Sequence, residues 1–322
     1  MKAFRVRDFA QTPTIEDIVQ PNPEKGQALV RIDACGLNFA DLLMLKGEYQ
    51  ETPNPPFTPG LEVAGVVTAL GPETEGVEIG TRVAVFGGSG GLAEYGVFPI
   101  DRIAPIPDAM SSEIAAGFQV AYGTSHLALD HKARLQPGET LVVLGAAGGV
   151  GLTAVEVGRL MGAKVIACAR GKDKLKAAKA AGADHLLDTE TDDLRQAIKD
   201  LGGADVVYDP VGGDAFGEVF RACNPDARIL AIGFASGNVP QVKLNHMLVK
   251  NITVIGFYWG GYLKFNPQVL IKSMDQLMHW QAEGKLTPAI NHVVDFDDTA
   301  EALAMLRERR STGKIVVKMP SA

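Results

Sequence analysis

The residues best suited to chemistry in this sequence are small ones, in a glycine-rich turn between two apolar segments. Within Leu141–Gly151, the residues Ala146, Gly148 and Gly151 have the spacing of a G/A-x-G-x-x-G fingerprint. Gly148 would let a pyrophosphate approach the backbone, and Gly151 would let the following helix pack closely on the strand. The helix N-terminus then offers N–H groups and a positive dipole end to the phosphates. The turn predicts dinucleotide binding rather than packing alone, with contacts from Ala147, Gly148, Gly149 and Val150.

The end of the next apolar segment indicates which dinucleotide is bound. An NAD site usually has an acidic residue there for the ribose hydroxyls. This sequence instead has Ala169, followed by Arg170, Lys172 and Lys174. A guanidinium can hold a 2′-phosphate through paired hydrogen bonds, whereas an acid would repel it. We therefore predict NADP(H), with Arg170 and Lys174 as ligands; the alternative is a solvated basic helix start.

The elements that must position this turn alternate between strand and helix, which is typical of a parallel sheet covered by helices on both faces. Strands are predicted at 141–145, 164–169, 185–187, 205–208, 229–232 and 252–257, and helices at 149–161, 173–181 and 192–201. Before this region, short strands at 27–33, 63–69 and 81–86 with Pro- and Gly-rich connections predict a mainly β module. After it, the tail ends in a strand at 314–318 and has the sequence character of the mainly β module, so we expect it to return to that module. We predict an α/β protein with domains at 1–121, 122–260 and 261–322, the last being a return to the first.

Composition excludes several classes of protein. The chain has 322 residues and a net charge of −7, which argues against a nucleic-acid binder because phosphates require a basic surface. No apolar run approaches the roughly 20 residues that span a bilayer, and we expect neither a signal peptide nor a membrane partner. Three dispersed cysteines exclude a disulfide framework and a cysteine-built zinc lobe, and the six histidines show no ligand spacing. We expect a cytoplasmic enzyme that acts on a small molecule.

Several motifs in order resemble one family over almost the whole chain. They are 34–42 (ACGLNFADL, with Leu43 following), 59–65 (PGLEVAG), 145–151, 182–184, 205–213 and 312–317. On these motifs the sequence resembles the zinc-free medium-chain dehydrogenases/reductases of the NADPH:quinone oxidoreductase (zeta-crystallin-like) type. The resemblance implies a GroES-like, mainly β catalytic domain with an inserted Rossmann domain. Zinc-dependent relatives carry Cys and His where this chain has Asn38 and Leu61, so the resemblance implies no metal site.

The resemblance also assigns residues to a site. It places Asn38 and Thr124 beside the nicotinamide end of the cofactor, and it implies that Lys314 reaches back to the cofactor. Tyr49 matches a tyrosine of the substrate pocket in quinone reductases. The residues that would border the nicotinamide pocket are Gly233, Phe234, Phe257 and Trp259. Asn38 and Tyr49 are thus the candidate catalytic residues.

The family interpretation implies hydride transfer from NADPH to a quinone or a similar electron-poor acceptor. Because solvent can protonate a hydroquinone anion, no protein acid is required. One alternative is a reductase of enones or enoyl thioesters, which would benefit from Tyr49 as a proton donor. A second alternative is a non-catalytic, NADPH-binding structural protein. We also expect a homodimer joined through the strand at 251–257, since an apolar strand that ends a sheet leaves an edge to be covered.

Overall fold

The computed structural model describes residues 1–320, in which strands and helices alternate. The strands are β1 (Lys2–Arg5), β2 (Thr14–Asp17), β3 (Gln27–Gly36), β4 (Glu62–Leu70), β5 (Arg82–Phe86), β6 (Tyr95–Pro99), β7 (Ile103–Pro105), β8 (Thr140–Leu144), β9 (Lys164–Ala169), β10 (His185–Asp188), β11 (Ala204–Asp209), β12 (Cys223–Ala231), β13 (Thr253–Gly256), β14 (Ile290–Asp295) and β15 (Lys314–Lys318). The helices are α1 (Phe39–Met44), α2 (Ser112–Leu127), α3 (Gly149–Leu160), α4 (Lys172–Ala180), α5 (Leu194–Asp200), α6 (Gly213–Ala222), α7 (Leu244–Lys250), α8 (Tyr262–Phe265), α9 (Pro267–Ala282) and α10 (Thr299–Arg307). These elements form two compact units, one of residues 1–120 with 290 onward and one of residues 121–289.

The first unit is built on one large sheet. Over the described residues its strand order is β14–β15–β3–β4–β5–β7, with β6 also paired to β3. Its neighbours are antiparallel apart from the parallel pair of β14 and β15. Val30 and Ile32 of β3 are buried in an apolar core with Val83 and Val317. The mainly β module is confirmed, and the tail does return to it, because β15 pairs with β3 with Val316 opposite Gly36.

The second unit carries the predicted parallel sheet, which is also confirmed. Its strand order among the described residues is β10–β9–β8–β11–β12–β13, and every pairing is parallel. β8 is buried along its whole length, as a central strand with both faces covered should be. The chain moves outward from β8 to β10 and then crosses back to β11. The topological switch point, where ligands bind in such sheets, therefore lies between the carboxyl ends of β8 and β11.

The boundary between the second unit and the tail lies later than the sequence indicates. Residues 261–289, expected to begin the return, belong to the second unit. In α9 the side chains of Leu270, Ser273 and Leu277 are buried, and Ser273 Oγ lies 2.8 Å from His126 Nδ1. Because its apolar face packs within this unit, α9 extends the cofactor domain, and the return begins at Ile290.

All three cysteines are buried free thiols. Cys35 and Cys168 lie inside β3 and β9, and Cys223 begins β12. Burial raises the pKa of each thiol, to about 12 for Cys168 and Cys223 and well above its ordinary value for Cys35. In the part of the chain that the structure describes, none of the helices combines the length and apolar character that crossing a bilayer requires.

Candidate functional site

The predicted phosphate turn lies at the carboxyl end of β8. Gly145 has φ +59 and turns the chain sharply, after which Ala146 and Ala147 are buried. Gly148 is the N-cap of α3, with extended φ −78 and ψ 173. The N–H groups of the first helical turn, which begins at Gly149, have no acceptor within the helix. The turn therefore presents N–H groups and a positive dipole end at the switch point.

The two later glycines of the fingerprint serve different purposes. A methyl group on Gly151 would come within 2.1 Å of Gly145 O, so packing of α3 on the turn requires glycine there. A methyl group on Gly148 would meet only Gly145 O, at an ordinary 3.5 Å. The protein itself thus leaves space above Gly148. This open space over a helix N-terminus fits the pyrophosphate of a dinucleotide.

Buried polar side chains hold α3 against α2. Ser125 Oγ contacts Val150 O at 3.0 Å, Thr153 Oγ1 at 2.8 Å and Tyr208 Oη at 3.1 Å. A second bond joins the same two helices: Tyr122 Oη of α2 donates to Glu156 Oε2 of α3 at 2.5 Å. Thr124, the α2 residue assigned to the cofactor, is buried beside Ser125. These bonds fix Thr124 and the start of α3 relative to each other.

The basic residues that the sequence analysis predicts for a 2′-phosphate follow β9. Arg170 follows β9 directly and is half exposed, and Lys174 is a partly buried residue of α4. Arg170 Nε lies 3.8 Å from Glu190 Oε1, an acid that the sequence analysis missed. Glu190 follows β10, which pairs with β9, so the parallel register brings it beside Arg170. A phosphate at Arg170 must therefore compete with this exposed carboxylate.

The residues assigned to the nicotinamide pocket fall into two groups. Gly233 and Phe234 follow β12; a methyl group on Gly233 would come no closer than 3.4 Å to Pro210 O, and Phe234 is 40% exposed. Phe257 and Trp259, by contrast, are buried. A methyl group on Gly123 would lie 2.6 Å from Trp259 Nε1, so the indole is packed tightly on α2. Phe234 is therefore accessible, whereas Phe257 and Trp259 are packed inside the unit.

Asn38 and Lys314 belong to a buried network in the first unit. Lys314 Nζ donates to Leu37 O at 2.9 Å, to Asn38 Oδ1 at 2.9 Å and to Glu62 Oε1 at 2.6 Å. Asn38 Nδ2 donates to Gly36 O and Glu62 Oε1. All three ammonium hydrogens thus have acceptors within the unit. The Lys314 ammonium thereby neutralises Glu62, which the sequence analysis did not single out. That Lys314 reaches back to the cofactor stays a prediction.

Asp41 completes this buried network as a structural carboxylate. It is fully buried, and it accepts the backbone N–H of Asn38 at 2.8 Å and that of Gly60 at 2.9 Å. Burial raises the pKa of the Asp41 carboxyl to about 7, against the opposing effect of the two N–H groups and Lys314. Tyr49 lies beyond the network, partly buried in the turn after α1. Asn38, Tyr49 and Lys314 are in the first unit, and the other candidates are in the second.

The positions occupied by zinc ligands in other dehydrogenases hold residues committed elsewhere. The Asn38 side chain is bonded within the network, and Leu61 is a buried apolar residue. Across residues 1–320, no three His, Cys, Asp or Glu side chains come together in a way that could hold a metal ion.

Comparison with known proteins agrees with both units. Residues 24–108 match the alcohol dehydrogenase GroES-like domain, and residues 149–280 match the zinc-binding dehydrogenase domain. The chain is 39% identical to the quinone oxidoreductase-like protein 2 homolog of Nematostella vectensis, over 98% of this chain and 88% of that protein. The Thermus thermophilus quinone oxidoreductase, solved with NADPH, has a TM-score of 0.87 and 32% identity, covering 99% of this chain and 100% of that one. The Escherichia coli quinone oxidoreductase, solved in complex with NADPH, has a TM-score of 0.89 and 25% identity, again covering 99% and 100% of the two chains.

Proposed function

Because the chain belongs to the quinone oxidoreductase family of medium-chain dehydrogenases/reductases, we propose that it is an NADPH-dependent reductase of a quinone or a similar electron-poor acceptor. The observation that carries the proposal is the turn at Gly148, with open space above a helix N-terminus at the switch point of the sheet. NADPH in the related structures from Thermus thermophilus and Escherichia coli supports the same cofactor here.

The residues present fit this cofactor in distinct roles. The first-turn N–H groups of α3 would bind the pyrophosphate, and Arg170 with Lys174 would bind the 2′-phosphate. Thr124, Gly233 and Phe234 would border the nicotinamide. The bound cofactor would supply the hydride, and the protein would hold it in place and exclude water. No protein acid is needed when the product is a hydroquinone anion, which solvent protonates.

The acceptor is tested by steady-state oxidation of NADPH with quinones, enals and enoyl-CoA thioesters. We expect turnover with quinones that is unchanged in Tyr49→Phe. Faster turnover of enals or enoyl thioesters, lost in Tyr49→Phe, would identify the enone reductase instead. If the protein binds NADPH tightly but none of the acceptors in the panel supports NADPH oxidation, the reductase proposal is wrong and a structural role is favoured.

We further propose that the protein is a homodimer joined through β13. Among the described strands, β13 ends the six-stranded sheet, with Thr253 and Gly256 exposed. Just before it, α7 exposes Leu244 and Leu248 by 77% and 75%. A second copy related by a two-fold axis would pair the strand edge and cover this apolar face. Sedimentation velocity should give a dimer at micromolar concentration and a monomer for Thr253→Lys; a wild-type monomer would contradict the proposal.

A cytoplasmic location is also proposed. Its support is the thiol chemistry, since three free, buried cysteines are typical of proteins from a reducing compartment. Fractionation of cells that express the full-length protein tests this, and recovery in an oxidising compartment would contradict it.

A further inference from the structure

The segment 205–213, which supports the family resemblance, carries a buried carboxylate at the switch point. Asp209 is the last residue of β11 and is 2% exposed. Its Oδ1 accepts the backbone N–H of Val211 at 2.7 Å and that of Gly212 at 2.8 Å. One carboxylate oxygen therefore holds the first turn of the chain after β11. Such N–H bonds to an ionised acceptor are among the stronger hydrogen bonds in proteins.

The turn held by Asp209 is hydrogen-bonded to the loop that carries Gly233 and Phe234. The backbone N–H groups of Ile232 and Gly233 donate to Asp209 O at 2.9 and 3.3 Å. Further along, Ala235 N donates to Pro210 O at 3.1 Å, and Ser236 N donates to Val211 O at 2.9 Å. The loop after β12 is thus bonded, residue by residue, to the turn after β11.

The close approach of these two loops explains the glycine in the turn. Gly212 has φ +68, and a methyl group there would lie 2.8 Å from Asn238 O. The same turn also touches the phosphate turn, because a methyl group on Gly145 would lie 2.8 Å from Val211 Cγ2. Residues 209–213 therefore contact both the phosphate turn after β8 and the nicotinamide-side loop after β12.

We propose that Asp209 is a positioning residue for the nicotinamide half of the cofactor site. It acts through the Val211 and Gly212 N–H groups, which set the turn that in turn sets Gly233 and Phe234. This inference rests on the proposed function, because it assumes that NADPH is bound by this unit. Arg170 and Lys174, proposed for the adenosine half of the site, follow β9, which lies on the other side of β8 in the strand order. We therefore expect loss of the Asp209 carboxylate to affect this half little.

The test compares the whole cofactor with its adenosine half. Dissociation constants for NADPH and for 2′,5′-ADP are measured by calorimetry on the wild type, Asp209→Ala and Asp209→Asn. Loss of the carboxylate should weaken NADPH binding about tenfold or more while 2′,5′-ADP binding stays within about twofold. Asp209→Asn should lie between, since its amide oxygen can still accept the N–H groups.

The matched control is Asp205 at the opposite end of the same strand. Asp205 accepts Thr140 N and Asn224 Nδ2, both at 2.8 Å, so Asp205→Ala also removes a carboxylate that holds backbone. It should lower the melting temperature without changing the ratio of the two dissociation constants. The inference would be overturned if both Asp209 variants kept the wild-type ratio of the NADPH and 2′,5′-ADP dissociation constants, whether binding of the two ligands is unchanged or weakened equally. Failure of the wild type to bind NADPH would instead refute the proposed function, and this inference with it.

Discussion

Replacing Lys314 by methionine tests the interpretation of the buried network in the first unit. The substitution removes the ammonium but keeps most of the aliphatic side chain, so Glu62 keeps its position without its counter-charge. Glu62 and Lys314 have side chains that are 1% and 7% exposed. Water therefore cannot replace the lost ammonium, and the network would retain an uncompensated carboxylate.

The size of the effect follows from this burial. Breaking a buried ion pair by removing one partner costs about 3–5 kcal/mol of unfolding free energy. For a unit of about 150 residues, each kcal/mol lowers the melting temperature by about 2–4 °C. We therefore expect a fall of roughly 6–20 °C for Lys314→Met. Because removal of both charges relieves the penalty, the double variant Glu62→Gln/Lys314→Met should recover at least half of the loss.

Differential scanning calorimetry of the single and double variants is the assay, with NADPH binding measured in parallel. Lys25→Met is the control, because Lys25 pairs with Glu73 in the same unit but both side chains are more than 70% exposed. This variant should melt like the wild type. If Lys314→Met melts normally and loses NADPH affinity, Lys314 is a direct cofactor ligand and the structural assignment is wrong.

Three further predictions concern the cofactor turn, the 2′-phosphate and pH. Gly148→Ala should keep the melting temperature and abolish tight NADPH binding in a fluorescence titration, whereas Gly151→Ala should lower the melting temperature because its methyl group would meet Gly145 O. Arg170→Ala should weaken NADPH binding by one to two decades, as expected for loss of about 1.5–3 kcal/mol, and should leave NADH binding unchanged. Lys176→Ala is the neutral control, and equal losses of affinity for both cofactors would contradict the prediction. Burial raises the pKa of Asp41 from 3.8 to about 7, so the native state holds this proton more tightly than the unfolded chain does. Its contribution to the unfolding free energy therefore falls as pH rises from about 4 to about 7; urea denaturation across this range should show a flatter profile for Asp41→Asn, and identical profiles would refute the shift.

Local patterns were sufficient to predict much of the fold. The strands at 164–169 and 314–318 have the predicted bounds, because each is a continuous apolar run between polar or glycine residues. β12 was predicted from residue 229 but begins at Cys223, where Pro225 and Asp226, with φ +62, indicate a turn. Cys223 pairs with Ala204 and Arg228 pairs with Val206, and the irregularity between these two pairs leaves Pro225 and Asp226 outside the register. The local turn signal is therefore correct for these two residues, and only the pairing of Cys223 with β11 extends the strand beyond the predicted start.

The candidate site likewise contains residues that neighbouring sequence predicts and residues that only the fold brings together. The fingerprint could be recognised because its residues act together within one turn. The contacts of Lys314 could not, since its partners lie 252 and 276 residues away. One signal was present: Glu62 stands beside the apolar run of β4, and an acid that is buried there needs a cation. Glu190 was missed because only the register of β9 and β10 places it beside Arg170.

The burial of the three cysteines affects how the protein withstands its proposed acceptor. Quinones are electrophiles that arylate thiolates, and the thiolate is the reactive form of cysteine. Here the thiols are 0–3% exposed, and burial raises the pKa of each. The folded protein thus offers neither access nor a thiolate to the electrophile and should survive repeated turnover without covalent inactivation. The same property makes the wild type a ready background for labelling, because one cysteine introduced on the surface would be the only thiol to react.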